Sequence, residues 1–175
     1  MTEQLGFIFD VNRCSGCMAC VVACQDQNDL PGDGPAYRQV SKFEESGVAP
    51  IVAFLSLSCQ HCGDAPCLMV CPTGAIFRHK AGNIIDVDRN LCVGCRSCAL
   101  ACPFGAVHFL SDGKMAKCHF CHERMEYGYE PACVRVCPTK ALRLGPVEDI
   151  SKEKAARASS SILKSIVHTE KSQIR

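Results

Sequence analysis

The sequence predicts a loop-rich α+β chain, with short strands and small helices held together by metal more than by a large apolar core, and a helical tail at the end. Three observations lead there. Sixteen of the 175 residues are cysteine, a share of about 9% that marks crosslinked or metal-stapled chains. All sixteen fall into four dense runs. After Cys137 the cysteines stop, and past Gly145-Pro146 the composition shifts.

In chain order, L-G-F-I-F-D-V (5 to 11) is apolar and β-favouring and reads as a strand leading into N-R-C. The first run, C-S-G-C-M-A-C-V-V-A-C, places Cys14, Cys17, Cys20 and Cys24, and M-A-C-V-V-A-C reads as helical. N-D-L-P-G-D-G-P (28 to 35) is a loop. Tyr37 to Leu57 holds two β-favouring runs around E-E-S-G, a hairpin expected to serve as scaffold or partner contact. The second run, C-Q-H-C-G-D-A-P-C-L-M-V-C-P, gives Cys59, Cys62, Cys67 and Cys71, with four residues in its second gap where the first run has two.

Residues 82 to 88 form another strand candidate ahead of the third run, C-V-G-C-R-S-C-A-L-A-C-P, with Cys92, Cys95, Cys98 and Cys102. Ala106 to Leu110 and Lys114 to Lys117 flank a turn at Ser111-Asp112-Gly113. The fourth run sets Cys118 and Cys121 apart from Cys133 and Cys137 by an eleven-residue excursion. Residues 150 to 168 are expected as a helix with Ser151 as N-cap and a one-sided stripe of Ile162, Leu163, Ile166 and Val167. That stripe suits either a tail packed on its own domain or a docking helix.

The third run is the ligand run of bacterial [4Fe-4S] ferredoxins, C-x2-C-x2-C-x3-C-P, in which the fourth thiolate ligates the neighbouring cluster. Soft thiolates suit iron–sulfur clusters. Zinc is the rival, but all-cysteine zinc sites pair two C-x2-C knuckles and have no use for a third and fourth cysteine in the same run. A C-x3-C-x2-C radical motif occurs nowhere. Disulfides would need an oxidising compartment. The N-terminal M-T-E-Q-L-G-F-I-F-D has no basic or apolar signal region and no twin arginine, so a cytoplasmic location is expected, export on a partner's signal being the alternative.

Other totals narrow the function. The chain is 47% apolar and 21% charged, with no apolar run near the ~18 residues of a membrane span. Four oxidised clusters with their thiolates would move the formal +1 to about −7, which argues against nucleic acid as a partner. No dinucleotide motif, P-loop or nucleophile–base signature is present, so the chain is not expected to be an enzyme alone.

The four runs resemble those of the four-cluster ferredoxin-like subunits of molybdenum and tungsten oxidoreductases. These include the electron-transfer subunits of the dimethyl-sulfoxide-reductase family, and similar polyferredoxin subunits serve tungsten aldehyde and benzoyl-CoA-type enzymes. The resemblance covers about residues 5 to 145 and implies four [4Fe-4S] clusters bound by exchanged ligands. The first set would be Cys14, Cys17, Cys20 and Cys137, and the second Cys118, Cys121, Cys133 and Cys24. The third would be Cys59, Cys62, Cys67 and Cys102, and the fourth Cys92, Cys95, Cys98 and Cys71.

It also implies two ferredoxin-like modules, one nested in the other. Residues 1–49 and 113–147 form the outer module, 50–112 the inner one, and 148–175 the tail. The implied function is an electron relay between a catalytic molybdenum- or tungsten-pterin subunit and a further redox subunit or carrier, suited to anaerobic chemistry. Further copies of the chain, joined through the C-terminal helix, are another implied partner. A freestanding polyferredoxin and a zinc-binding structural module are the alternatives.

Smaller expectations attach to single residues. Gly16, Gly63 and Gly94 are expected to offer backbone N–H groups to sulfur or to turn the ligand loops. His61, His119 and His122 are expected at exposed loop positions, with cluster modulation or proton relay as the second reading. Arg13 and Lys117, each just ahead of a cysteine, are candidates for offsetting cluster charge.

Overall fold

The computed structural model describes residues 4–47, 51–79 and 83–173, with side chains to residue 166. β1 (Leu5–Phe9) leads through a 3-10 turn at Val11–Arg13 into the first cysteine loop and α1 (Ala19–Gln27). β2 (Arg38–Glu45) and β3 (Ile51–Ser58) form the expected hairpin. Then come α2 (Pro66–Met69), β4 (Ile76–Arg78) and β5 (Ile85–Val87). α3 (Ser97–Ala101) follows the third cysteine loop, and β6 (His108–Phe109) and β7 (Met115–Ala116) flank the expected turn. The eleven-residue excursion holds α4 (His122–Glu126) and ends at α5 (Ala132–Arg135). β8 (Leu142–Pro146) runs directly into α6 (Val147–Gln173).

Among the described residues the strands pair as four separate two-stranded antiparallel sheets. β2–β3, β4–β5 and β6–β7 are local pairs, whereas β1 pairs with β8, Phe7 standing opposite Leu144. The two ends of the cysteine-bearing region are therefore hydrogen-bonded to each other. β5 is shorter than the strand expected over 82 to 88, and its partner β4 had no signal of its own in the sequence. Residue 82 and residues 48 to 50 lie outside the described residues.

The apolar core is divided. One cluster gathers Leu30, Tyr37, Ile84, Ala106, Ala116 and Phe120 with Cys24, Cys59 and Cys118. Another gathers Ala65, Ile76, Ile85 and Met115 with Cys67 and Cys98. Cysteine belongs to each cluster, so what the thiols bind is part of what fills the interior.

α6 corrects one expectation: it begins at Val147, and Ser151 lies inside it instead of capping it. The Val147 N–H donates to the Gln4 carbonyl (2.9 Å), and Glu148 and Asp149 stand in the first turn, where the helix dipole favours them. A Cβ on Gly6 would meet the Val147 side chain at 3.2 Å, so the helix start lies close over β1. Arg143 of β8 grips Glu153 through both carboxylate oxygens (2.9 and 3.0 Å). Beyond that, Ile162, Leu163 and Ile166 are exposed, and the Val167 side chain is outside the described residues.

Candidate metal centres

None of the sixteen cysteines forms a disulfide. One hollow is lined by Cys24, Cys118, Cys121 and Cys133 together with Phe7, Arg38 and Phe120. Another is lined by Cys14, Cys17, Cys20 and Cys137. A further one is lined by Cys71, Cys92, Cys95 and Cys98. The remaining four are less sharply grouped. Cys59, Cys67 and Cys102 act on one another's charge, and Cys62 packs in the same apolar cluster as Cys67. Among the described residues no three His, Cys, Asp or Glu side chains converge as a single-ion site would need. The thiols ring spaces that suit a polynuclear core.

The groups of thiols adjoin in a row. Cys20 acts on Cys133, Cys118 on Cys59, and Cys67 on Cys98. The middle of that row is the deepest. Cys24, Cys118, Cys121 and Cys133 are all buried, whereas Cys17 and Cys95, in the two end sets, are exposed.

Local backbone geometry explains how one motif builds four sites. In the first C-x-x-C of each run the second intervening residue is left-handed: Gly16 (φ 69°), His61 (46°), Gly94 (69°) and Phe120 (57°). That turn points backbone N–H groups inward, as where the His61 N–H donates to Cys59 Sγ at 3.5 Å. Gly16 and Gly94 thus do turn their loops, and a Cβ on Gly94 would come within 2.8 Å of the Gly113 carbonyl. Gly63 has no such conformation; Arg78 donates to its carbonyl.

Electrostatics separate two kinds of thiol. Burial pushes Cys24 up to about 12, with the Cys118, Cys133 and Cys121 charges adding to it. Burial likewise raises Cys59, Cys118, Cys121 and Cys133. Such thiols ionise readily only against positive charge, which a cationic iron–sulfur core provides, and its binding expels their protons. Cys71 and Cys137 behave oppositely. Burial works against ionisation there too, but N–H groups of Ile76, Thr73 and Ala75, and of Leu142, Ala141 and Thr139, with the threonine hydroxyls, bring the net shift down. Cysteine spacing alone does not show this, yet the sequence holds the signal: C-P-T-G-A-I and C-P-T-K-A-L are one loop written twice.

The expected auxiliary residues divide. Arg13 is exposed and Lys117 is buried, its Nζ donating to the carbonyls of Ile85 and Cys118. The expectation of exposed histidines fails. His61 is buried, stacks on Phe120 at 3.8 Å between ring centroids and accepts the Ile85 N–H at Nδ1. Burial, then Lys117, keeps it neutral, well below the usual histidine range. His119 and His122 are part-buried, held by Asn28 (2.7 Å) and Asp86 (3.1 Å). They lie inward, facing the end of α1 through Asn28 and β5 through Asp86.

Sequence reasoning missed Arg38. It is 2% exposed, and its guanidinium donates to Ser56 (3.1 Å) and Ser58 (2.9 Å) and lies 4.3 Å from the Phe7 ring centroid. A buried cation here, facing four thiols, fits an anionic guest.

Comparisons with known proteins agree with this chemistry. A 4Fe-4S dicluster domain profile matches residues 51–147, and a second 4Fe-4S dicluster domain profile matches 13–75. The sequence is 39% identical over 163 residues to YnfG of Escherichia coli (strain K12), described as a probable anaerobic dimethyl sulfoxide reductase chain, covering 87% of this protein and 78% of that one. The same figures hold for the B subunit of anaerobic dimethyl sulfoxide reductase from the same organism. It is 44% identical over 154 residues to the thiosulfate reductase electron transfer subunit PhsB of Salmonella typhi, covering 85% and 79%. Two dicluster domains make four [4Fe-4S] clusters, which the sixteen thiols match in number.

Proposed function

The chain belongs to the 4Fe-4S dicluster family of reductase iron–sulfur subunits, and on that premise we propose that it relays electrons between a catalytic subunit and a second redox partner. When bound, each cluster takes up and passes on one electron. The observation that carries the reading is the row of four thiol sets, deep in the middle and open at the ends. A row of that form insulates the central steps from water and leaves both ends accessible to partners.

The chain's own residues hold the row. The proposed ligands are Cys14, Cys17, Cys20 and Cys137 for the first cluster, and Cys118, Cys121, Cys133 and Cys24 for the second. Cys59, Cys62, Cys67 and Cys102 hold the third, and Cys92, Cys95, Cys98 and Cys71 the fourth. Each site is thus closed by a cysteine from another run. The β1–β8 pairing supports the nested division, with 1–49 and 113–147 around 50–112 and a tail from 148.

The catalytic partner that we propose is a molybdenum- or tungsten-pterin subunit, in line with the reductase names of the relatives. The compartment is one that keeps the sixteen thiols reduced, the cytoplasm. Among the described residues no helix is long and apolar enough to cross a membrane. The exposed stripe of α6 is proposed as a docking surface, for a partner subunit or a further copy.

Two measurements test this. Anaerobically purified protein should carry about sixteen iron and sixteen acid-labile sulfide per chain; about four zinc and no sulfide would overturn the reading. In native extract the chain should elute within a larger complex, and elution alone at 19.0 kDa would favour a freestanding carrier. Deleting residues 158 to 175 should release the chain from that complex with its iron retained; an unchanged complex would end the docking role of α6.

A further inference from the structure

Arg38 is buried to 2% exposure, and among the described residues no carboxylate pairs with it. A guanidinium removed from water is strongly unfavourable unless a negative charge compensates it. Two serine hydroxyls occupy its Nη atoms, and hydroxyls supply no charge. Nε is buried without a hydrogen-bond partner. The guanidinium faces the thiols of one set: Arg38 lines the same hollow as Cys24, Cys118, Cys121 and Cys133.

The residue also touches the adjoining set indirectly. Ser56, which accepts from Nη1, has its Oγ 3.5 Å from Cys20 Sγ. Arg38 therefore stands at the joint between the first two thiol sets, on the side of the second. Its place is fixed by β2 and β3, where Ser56 and Ser58 are themselves buried, and by the Phe7 face on the other side.

We propose that Arg38 is the internal counter-charge of the site formed by Cys24, Cys118, Cys121 and Cys133, and that it raises the reduction potential of that one centre. The inference rests on the relay reading above. An electron arriving there from an adjoining centre, which is oxidised in the same step, adds one negative charge. A fixed cation in low dielectric favours that charge, and no proton need accompany it. Among the described residues the fourth set has no buried arginine in its lining: Arg96, which lines it, is exposed and lies over the Phe109 ring.

The test is a redox titration followed by electron paramagnetic resonance on anaerobically purified protein, with iron and sulfide measured on each sample. Arg38→Met should keep the full iron content and make reduction of one centre at least about tenfold less favourable, which is 59 mV for one electron. Arg38→Gln should do the same, and Arg38→Lys should stay within about threefold of the parent. Four unmoved potentials at full iron content, or an equal drop in Arg38→Lys, would overturn the proposal. If Arg38→Met fails to retain its clusters, Arg38→Gln carries the same two outcomes. A parent protein with far fewer than sixteen irons would fail the relay reading instead, and the iron assay separates the two failures.

Discussion

The two ends of the row and its middle build the same loop from different residues. At the ends the left-handed position of C-x-x-C is glycine, Gly16 and Gly94; in the middle it is His61 and Phe120. A non-glycine residue there costs about 1–2 kcal/mol. Burying a large aromatic returns about 2–3 kcal/mol, and the His61–Phe120 stack adds to it. At the ends something else comes too close: a Cβ on Gly16 would sit 2.4 Å from the Phe54 ring. Loop shape is thus obtained by omitting a side chain where neighbours press in, and by burying one where two sites must be sealed together. The same contrast runs through the thiols, which burial opposes in the middle and N–H donors favour at Cys71, Cys95 and Cys137.

The largest effect should come from cutting the middle. Cys118→Ser should remove more than one centre and much of the folded structure, because that buried thiol lies in the shared core cluster. Cys95→Ser, at an exposed end position, should lose only its own centre and leave about twelve irons. Iron analysis with circular dichroism separates the two, and equal losses would erase the distinction between end and middle.

Next in size, Phe120→Ala should cost about 3–5 kcal/mol as a fully buried aromatic. It should be read as an earlier denaturant midpoint for loss of the visible cluster absorbance. At the ends, Gly94→Ala should cost more than Gly74→Ala. Both are left-handed, at φ 69° and 65°, but a Cβ on Gly74 meets open space while one on Gly94 meets the Gly113 carbonyl. The second should cost about 1–2 kcal/mol from backbone strain alone.

The smallest effect concerns the base of α6, outside the row. The Arg143 guanidinium, with Arg157 behind it, holds the Glu153 carboxyl below the ordinary carboxylate range. A depressed carboxylate stabilises fully above its unfolded pKa, and that contribution fades as pH falls through the folded value. The protection of amides in the first turns of α6, relative to their intrinsic exchange rate, should therefore fall below about pH 4, and Arg143→Ala should flatten that dependence.

The cysteine runs made the cofactor and the cluster number readable, because ligand spacing is a local property of the chain. The hairpin, the turn at Ser111-Asp112-Gly113 and the helix after Cys17 were readable for the same reason. What escaped was set by tertiary contacts. Arg38 opens R-Q-V-S-K-F, where alternation with lysine and serine reads as a solvent-facing strand, and only packing against Phe7 turns it inward. His61 and Phe120 look like loop residues until their rings meet. Ser151 resembles a cap because β8 running unbroken into α6 leaves no boundary signal.

The central claim is that each site is closed by a cysteine from another run, and paired serine variants test it most directly. The electron paramagnetic resonance signal lost in Cys14→Ser should be the one lost in Cys137→Ser, and Cys95→Ser and Cys71→Ser should share the loss of a different one. If Cys137→Ser instead keeps the signal that Cys14→Ser loses, or Cys71→Ser keeps the one that Cys95→Ser loses, the sites are not closed by a cysteine from another run and the account is wrong.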